Sequence, residues 1–229
     1  MKRQNNIQAQ IKRASEILPK IEQEYNNSLH KKEVSDDLKL DIQTFLGHLR
    51  SALDYLSKDI IEKYCPNVDK SYFPIRHDKN SFMKMMSESY PELISHSPAL
   101  YSYLESIQPY TNSDNSWLAH FNKLNNENKH NDLVEQIRTE TERVNVEING
   151  GGSVNWDPSA VRFSGPGVYI GGVPVDFNTQ IPVQSNTQTV TIQTWIDFKF
   201  SDIETSALHL LKESLSKIKD INTEIVKFL

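Results

Sequence analysis

The sequence predicts an α+β protein, in which an antiparallel helical bundle carries an inserted, mainly antiparallel β-sheet and a C-terminal helix. Two changes of hydrophobic period support this prediction. From residue 5 to about residue 133, apolar residues recur every three or four positions, as on one face of a helix. From 133 to 200 they alternate with polar residues, as in strands with one buried face, and from 202 to 229 the helical period returns.

These changes of period divide the chain into three regions. Residues 1–133 form the helical bundle, residues 134–200 form an antiparallel sheet packed on the bundle, and residues 201–229 form a helix that returns to the bundle. A stretch of about sixty residues is marginal as an independent domain, because it buries little apolar surface. We therefore expect the sheet to depend on the bundle for its stability.

The first two predicted helices have regular apolar periods. Apolar residues alternate in steps of four and three from Ile7 to Tyr25, and Pro19 is expected to kink or break this helix. The second helix has the strongest period and begins after Ser35, a suitable N-cap. Its predicted buried residues are Ile42, Leu46, Leu49, Leu53, Leu56 and Ile60.

The rest of the bundle is predicted from shorter signals. Phe73 and Ile75 are expected to fill an apolar groove between helices, and short helices are predicted from Ser81 and over 98–107. The last helix of the bundle begins with Ser116 as its cap and carries the apolar residues Trp117, Leu118, Phe121 and Leu124. The asparagines that follow Leu124 favour local side-chain hydrogen bonds, so this helix is expected to end there.

Two long strands are predicted in the sheet region. Val144, Val146 and Ile148 mark the first, and the second runs from Val190 to Phe200; we expect these strands to pair in an antiparallel sheet. Glycine groups separate shorter strands at 160–163 and 168–170. Strands rather than helices follow these glycines, so they indicate hairpin turns rather than a phosphate-binding loop.

Composition limits the classes of function. The net charge is -5 and no region is strongly basic, which excludes tight sequence-independent DNA binding. Cys65 is the only cysteine, no apolar run is long enough to span a membrane, and no signal peptide precedes the first helix, so we expect a cytoplasmic protein. The seven histidines lack metal-ligand spacing, and the sequence therefore predicts neither a metal site nor a cofactor.

Arg50 and Asp54 are the candidate site residues of the second helix. They lie four residues apart beside the buried face, on a stripe with the small residues Gly47 and Ser57 that permits close approach of another helix. We expect them to come within reach of the Asn125–His130 segment. The alternative is an ordinary surface ion pair, which stabilises a helix by only a few tenths of a kcal/mol.

The segment from Leu124 to Leu133 gathers amides, a cation and an imidazole near a helix end. Asn125, Asn126, Lys129 and His130 are its candidate site residues. The chain from 35 to 133 resembles a group of uncharacterised bacterial proteins and, through them, the HEPN superfamily of helical domains. The motifs that carry the resemblance are Leu49-Arg50-Ser51-Ala52-Leu53-Asp54-Tyr55-Leu56, Phe73-Pro74-Ile75, Ile107-Gln108-Pro109-Tyr110 and the stretch from Trp117 to Leu133 with Lys129-His130.

The resemblance implies a helical bundle, frequent dimerisation and, in active members, metal-independent RNA cleavage in defence or toxin systems. The superfamily motif places its polar residue on Asn126 and its histidine on His130, whereas its arginine position is Asn125 here. In a ribonuclease, His130 would be the general acid or base and Lys129 or Arg50 the positive charge beside the phosphate. Asp54 would orient Arg50 or His130, and both asparagines would hold the RNA.

A second interpretation gives the same residues no catalytic role. Arg50, Asp54, Asn126 and His130 would then form a buried polar network in a helical interaction module, with a protein as the candidate partner. Access of solvent to His130 would distinguish the two. We also expect a homodimer, because one bundle is too small to cover the long apolar stripes at 7–25 and 207–228.

Overall fold

The structure is a computed structural model. It describes residues 1–28, 34–69, 72–130, 136–164, 167–200, 203 and 205–229, without the side chains of residues 127–130 and of Trp195. The helices are α1 (Gln4–Ser28), α2 (Asp36–Tyr64), α3 (Lys79–Ser89), α4 (Leu93–His96), α5 (Pro98–Ser106), α6 (Ser116–His130) and α7 (Ala207–Val226). The strands are β1 (Gln136–Ile148), β2 (Ser153–Trp156), β3 (Tyr169–Ile170), β4 (Val173–Asp176), β5 (Ile181–Pro182) and β6 (Gln188–Phe200). The predicted α+β class is confirmed.

The chain forms two compact units. The first contains residues 1–137 together with 198–229 and holds all seven described helices. The second contains residues 138–197 and holds most of the strand residues. The bounds of the second unit lie within the predicted sheet region, and its packing on the bundle stays a prediction.

The helical unit is built around α2. Helix α1 packs along α2, and α7 packs against α1, α2 and α6. The predicted stripe of α2 is buried throughout, from Ile42 to Ile60, because its three- and four-residue steps keep these side chains on one side of the helix. The stripes of α1 and α7 are buried in the same core.

This packing removes the reason given for a dimer through the terminal helices. In α1, the residues Ile7, Ile11, Ala14, Ile21 and Tyr25 are all buried, and α7 buries its apolar residues from Ala207 to Ile225. One bundle therefore covers both stripes. The expectation that a second copy is needed to cover them was wrong, since each helix finds its partners within the chain.

Several predicted helix boundaries are confirmed or corrected. Ser35 caps α2 by accepting the Leu38 N–H at 3.2 Å, as predicted. Pro19 does not break α1, in which Ala14 and Ile21 hold both halves in the core. Ser116 is not an N-cap: its backbone is already helical, because a 3₁₀ turn over Ser113–Asn115 leads directly into α6.

Helix α6 does not end at Leu124 but runs to His130. Leu124 is fully buried and Asn125 is only 3% exposed, so tertiary contacts hold the backbone helical at residues with weak helix propensity. His130 is the last residue of α6, and residues 131–135 lie outside the described chain.

The second unit contains two small antiparallel sheets. One has the strand order β2-β1-β6, and the other has the order β3-β4-β5. The end of β1 meets the start of β6, where the Asn149 N–H donates to the Thr187 carbonyl at 2.9 Å. The predicted strand at 160–163 is absent, since these residues follow a turn and form no ladder. The unit has its own hydrophobic cluster, formed by Val144, Val146, Trp156, Ile170 and Val175.

The long strands do not bury one face along their whole length. Residues 140–143 of β1 and 191–194 of β6 are all exposed, on both faces of the ribbon. Ile192, predicted to be buried, is 50% exposed. Burial is restricted to the strand ends, where Phe198 and Phe200 join the helical core and Val144 and Val146 join the small β core. We call 140–143 with 191–194 the exposed ribbon.

We expect the helical unit to fold without residues 138–197. Gln136 and Phe198 belong to the helical unit, and the hydrophobic core of that unit contains none of the described residues of 138–197. A chain in which an Asn-Gly turn replaces residues 138–197 should keep its helical circular dichroism and a single cooperative thermal transition. Loss of that transition would show that the sheet is required for folding of the bundle.

Candidate functional site

Arg50 and Asp54 lie one turn apart on α2, where α2 packs against α6. Each nitrogen of the Arg50 guanidinium has a partner: Nε donates to Asp54 Oδ2 at 3.2 Å, Nη2 lies 3.1 Å from Asp54 Oδ1, and Nη1 donates to Asn122 Oδ1 at 2.9 Å. Arg50 is 8% exposed. A bidentate, shielded pair of this kind is stronger than an exposed pair at the same spacing, so the surface-pair alternative does not apply.

Asp54 also holds the chain between α2 and α3. Its Oδ1 accepts the Phe73 N–H at 3.1 Å, so both carboxylate oxygens have partners within the protein. Phe73, Pro74 and Ile75 are buried, which confirms the prediction that Phe73 and Ile75 fill an apolar region of the bundle. We call residues 72–76 the FPI segment. Its backbone needs such acceptors, because buried N–H groups without partners are costly.

Gln108 holds the other end of the FPI segment. Its Oε1 accepts the Arg76 N–H at 2.9 Å, and its Nε2 donates at 2.8 Å to the carbonyls of Pro74 and Leu104. Gln108 is fully buried, so these bonds satisfy groups that water does not reach. Two side chains, Asp54 and Gln108, therefore fix the segment to α2 and to the end of α5.

The amide that reaches Arg50 comes from Asn122, not from the predicted Asn125 or Asn126. Asn122 lies one turn before Asn126 on α6, and Asn126 is exposed. Asn125 is 3% exposed, and among the described residues its Nδ2 has no hydrogen-bond partner. The structure thus confirms that α2 and α6 pack together, as expected. It places the contact with Arg50 one turn earlier than predicted.

Lys129 and His130 are the last two residues of α6, and their side chains lie outside the described structure. Their predicted roles are therefore untested. The helix does fix their backbone positions. Asn122, Asn126 and His130 follow one another at four-residue steps, which places them in one row of helix positions that begins at the Arg50 contact.

His120 is the histidine of α6 whose surroundings are described. Burial lowers the pKa of its imidazole, and the nearby charge of Lys123 lowers it further, while Glu213 of α7 raises it and His77 lowers it slightly. The neutral form of His120 is therefore favoured near neutral pH, which is the form that can accept a proton. No motif surrounds His120 in the sequence, so its place in the site could not be predicted.

A second charged cluster lies at the start of the chain. Arg3 donates from its backbone N–H and from Nη1 to Asp59, and from Nη2 to Glu62. Its hydrogen bond lowers the pKa of Glu62 to about 2, with a further contribution from Lys2. A cavity of about 520 Å³ lies beside the cluster, lined in part by Lys58, Asp69 and Tyr72. The charges of Arg3 are already matched, so this cavity presents no free guanidinium to a ligand.

Two features that sequence reasoning missed complete the site. Asn122 and Gln108 both link elements through side-chain amides, yet neither was assigned a role from the sequence. Gln108 belongs to one of the quoted motifs, and its position before Pro109, at the end of a predicted helix, was the available signal. Asn122 had a weaker one, since it stands one helical turn before Asn126.

The described residues contain no group of three or more His, Cys, Asp or Glu side chains that could hold a metal ion. In the same parts of the chain, no helix has the length and apolar character required to cross a membrane. No family model, curated protein or solved structure shows a significant match to the chain. The HEPN resemblance therefore rests on the motifs alone.

Proposed function

We propose that this protein is a HEPN-like helical interaction module in which Arg50, Asp54 and Asn122 are structural rather than catalytic. The observation that carries the proposal is the closed set of contacts around Arg50. All three guanidinium nitrogens are engaged by Asp54 and Asn122, and the side chain is only 10% exposed. These contacts use three of the five guanidinium N–H groups and neutralise the charge of Arg50, so little of the guanidinium is left for an RNA phosphate.

The remaining contacts of the network support the same role. Asp54 holds Phe73 on α2, Gln108 holds Arg76 at the end of α5, and Arg50 holds Asn122 of α6 on α2. Buried polar networks with satisfied members specify one packing of a core. The surface that results is then rigid and suited to binding a protein partner, with RNA as an alternative ligand.

A second function is favoured by the row of α6 positions that leads from Arg50 to His130. This function is metal-independent RNA cleavage of the kind found in defence or toxin systems. His130 would take the proton from a ribose 2′-hydroxyl or give one to the leaving oxygen, and Lys129 would supply the positive charge instead of the engaged Arg50. Asn126, exposed on the same row, and Asn125 would hold the RNA.

One experiment decides between these functions. We incubate purified wild-type protein with total RNA in EDTA and compare it with a His130→Ala variant. We expect the wild-type protein to cleave no more RNA than the variant, because the proposed module presents no catalytic positive charge to the phosphate. EDTA removes contaminating metal-dependent nucleases. His96→Ala is a matched control, since His96 is also a histidine near a helix end and is exposed. Cleavage that is lost in His130→Ala and kept in His96→Ala would establish the ribonuclease instead.

A further inference from the structure

The two outer edges of the exposed ribbon differ in charge. The outer edge of β1 at residues 138–143 carries Arg138, Glu140, Glu142 and Arg143 within six positions. Charged side chains of this kind are a common protection against pairing with another strand. β6 is the terminal strand of its sheet, and its residues 188–196 contain no charged residue, no proline and no glycine. Only one of the two edges is therefore protected.

The unprotected edge of β6 presents backbone N–H and C=O groups to solvent at every second residue. Thr187 directs its carbonyl to Asn149, and backbone groups alternate in direction along a strand. Residues 189, 191 and 193 therefore direct their N–H and C=O groups towards β1, as Thr187 does, whereas those of Val190, Ile192 and Thr194 point away from β1. Residues 191–194 are exposed on both faces, and in the described chain no strand pairs with this side of β6.

We propose that this edge of β6 binds the β6 strand of a second copy of the chain, in antiparallel orientation about a two-fold axis near Gln193. A two-fold axis places each residue of the strand opposite a residue of the same strand. Like charges directly opposite each other destabilise such a pair, and 188–196 contains none. The pairing joins two three-stranded sheets into one with the order β2-β1-β6-β6-β1-β2.

The exposed side chains of the ribbon are compatible with a second β6 strand at this edge. Ile192 is 50% exposed and takes no part in the small β core, so a neighbouring strand would cover an apolar side chain that the chain itself leaves in water. Thr191, Gln193 and Thr194 supply side chains that pair across strands. A single strand pair is a small interface, below about 1,200 Å², and the association is therefore reversible.

Sedimentation of the full chain tests the proposal. The dimer fraction is expected to rise with concentration over a range of about 1 to 100 µM. Ile192→Lys should weaken association at least tenfold, because the two-fold axis brings two lysines close together. Thr141→Lys adds the same charge at an exposed position of β1 and should leave association unchanged. A chain that stays monomeric at 100 µM, or an Ile192→Lys variant that dimerises normally, overturns the proposal.

Disulfide formation locates the axis independently of charge. Three variants each carry one new cysteine, at Ile192, Gln193 or Thr194. In at least one of them, the new cysteine should lie opposite the same cysteine of the second copy, within the Cα–Cα distance that a disulfide allows, about 4.4 to 6.8 Å. That variant should form a covalent dimer under mild oxidation, whereas Thr141→Cys should not. The native Cys65 is buried and does not interfere. Absence of a covalent dimer in all three variants contradicts the proposed pairing.

A peptide with the sequence of residues 188–196 distinguishes a second copy from a foreign strand. We expect it to dissociate the dimer by occupying the same edge. A chain that is monomeric without the peptide but binds it tightly would show that the edge receives strands from another protein, and the proposed second copy would then be wrong.

Discussion

Replacing Asp54 with alanine is expected to lower the free energy of unfolding by about 3 kcal/mol. The change leaves the shielded Arg50 guanidinium without its carboxylate, and it also removes the acceptor of the Phe73 N–H. The cost of a charge and a donor left without partners exceeds the value of the ion pair itself. Urea denaturation followed by circular dichroism measures the change.

Two controls separate this network from an ordinary helical ion pair. Glu88→Ala removes the carboxylate of an exposed pair with Lys84 at the same four-residue spacing, and it should cost less than about 0.5 kcal/mol. A double variant, Arg50→Met with Asp54→Leu, should recover part of the loss because no uncompensated charge remains. A loss for Asp54→Ala no greater than that for Glu88→Ala would show that Arg50 and Asp54 behave as a surface pair.

Gln108→Ala is expected to have an effect of similar size, about 3 kcal/mol. The variant leaves the Arg76 N–H and the Pro74 carbonyl without their partner and creates a cavity at a fully buried position. Gln8→Ala is the control, since Gln8 is an exposed glutamine of α1, and it should change stability by less than about 0.5 kcal/mol.

Hydrogen exchange gives these two variants different signatures. The Phe73 amide should lose protection in Asp54→Ala, and the Arg76 amide should lose protection in Gln108→Ala, because each side chain accepts one of the two N–H groups. Exchange at both amides that stays unchanged in both variants would contradict the idea that these side chains hold the FPI segment.

Much of the helical unit could be predicted from the sequence. The spacing from Ile42 to Ile60 identified the buried face of α2, and Ser35 identified its first turn, because both signals are local. The α+β class followed from the change of period near residue 133. The packing of α2 against α6 was also anticipated, but the reason given for it was wrong, because a Cβ added at Gly47 would meet nothing within 4 Å.

The errors arose where tertiary contacts outweigh local preferences. Asn125 has weak helix propensity, but burial in the bundle keeps α6 helical through it. Alternation identified β6 as a strand but did not show how far a core extends beneath it, so Ile192 was assigned to a buried face. Asn122 was missed because an amide inside a helix gives no signal until the facing arginine is known.

The position of α7 in chain order has a consequence for synthesis of the protein. Helix α7 covers parts of α1, α2 and α6, yet it is made only after the whole of residues 138–197. The apolar residues that it covers are therefore open to water while the sheet is being translated. We expect this interval to be the period in which the nascent chain is most exposed to chaperones and to aggregation, because unfinished cores present apolar surface.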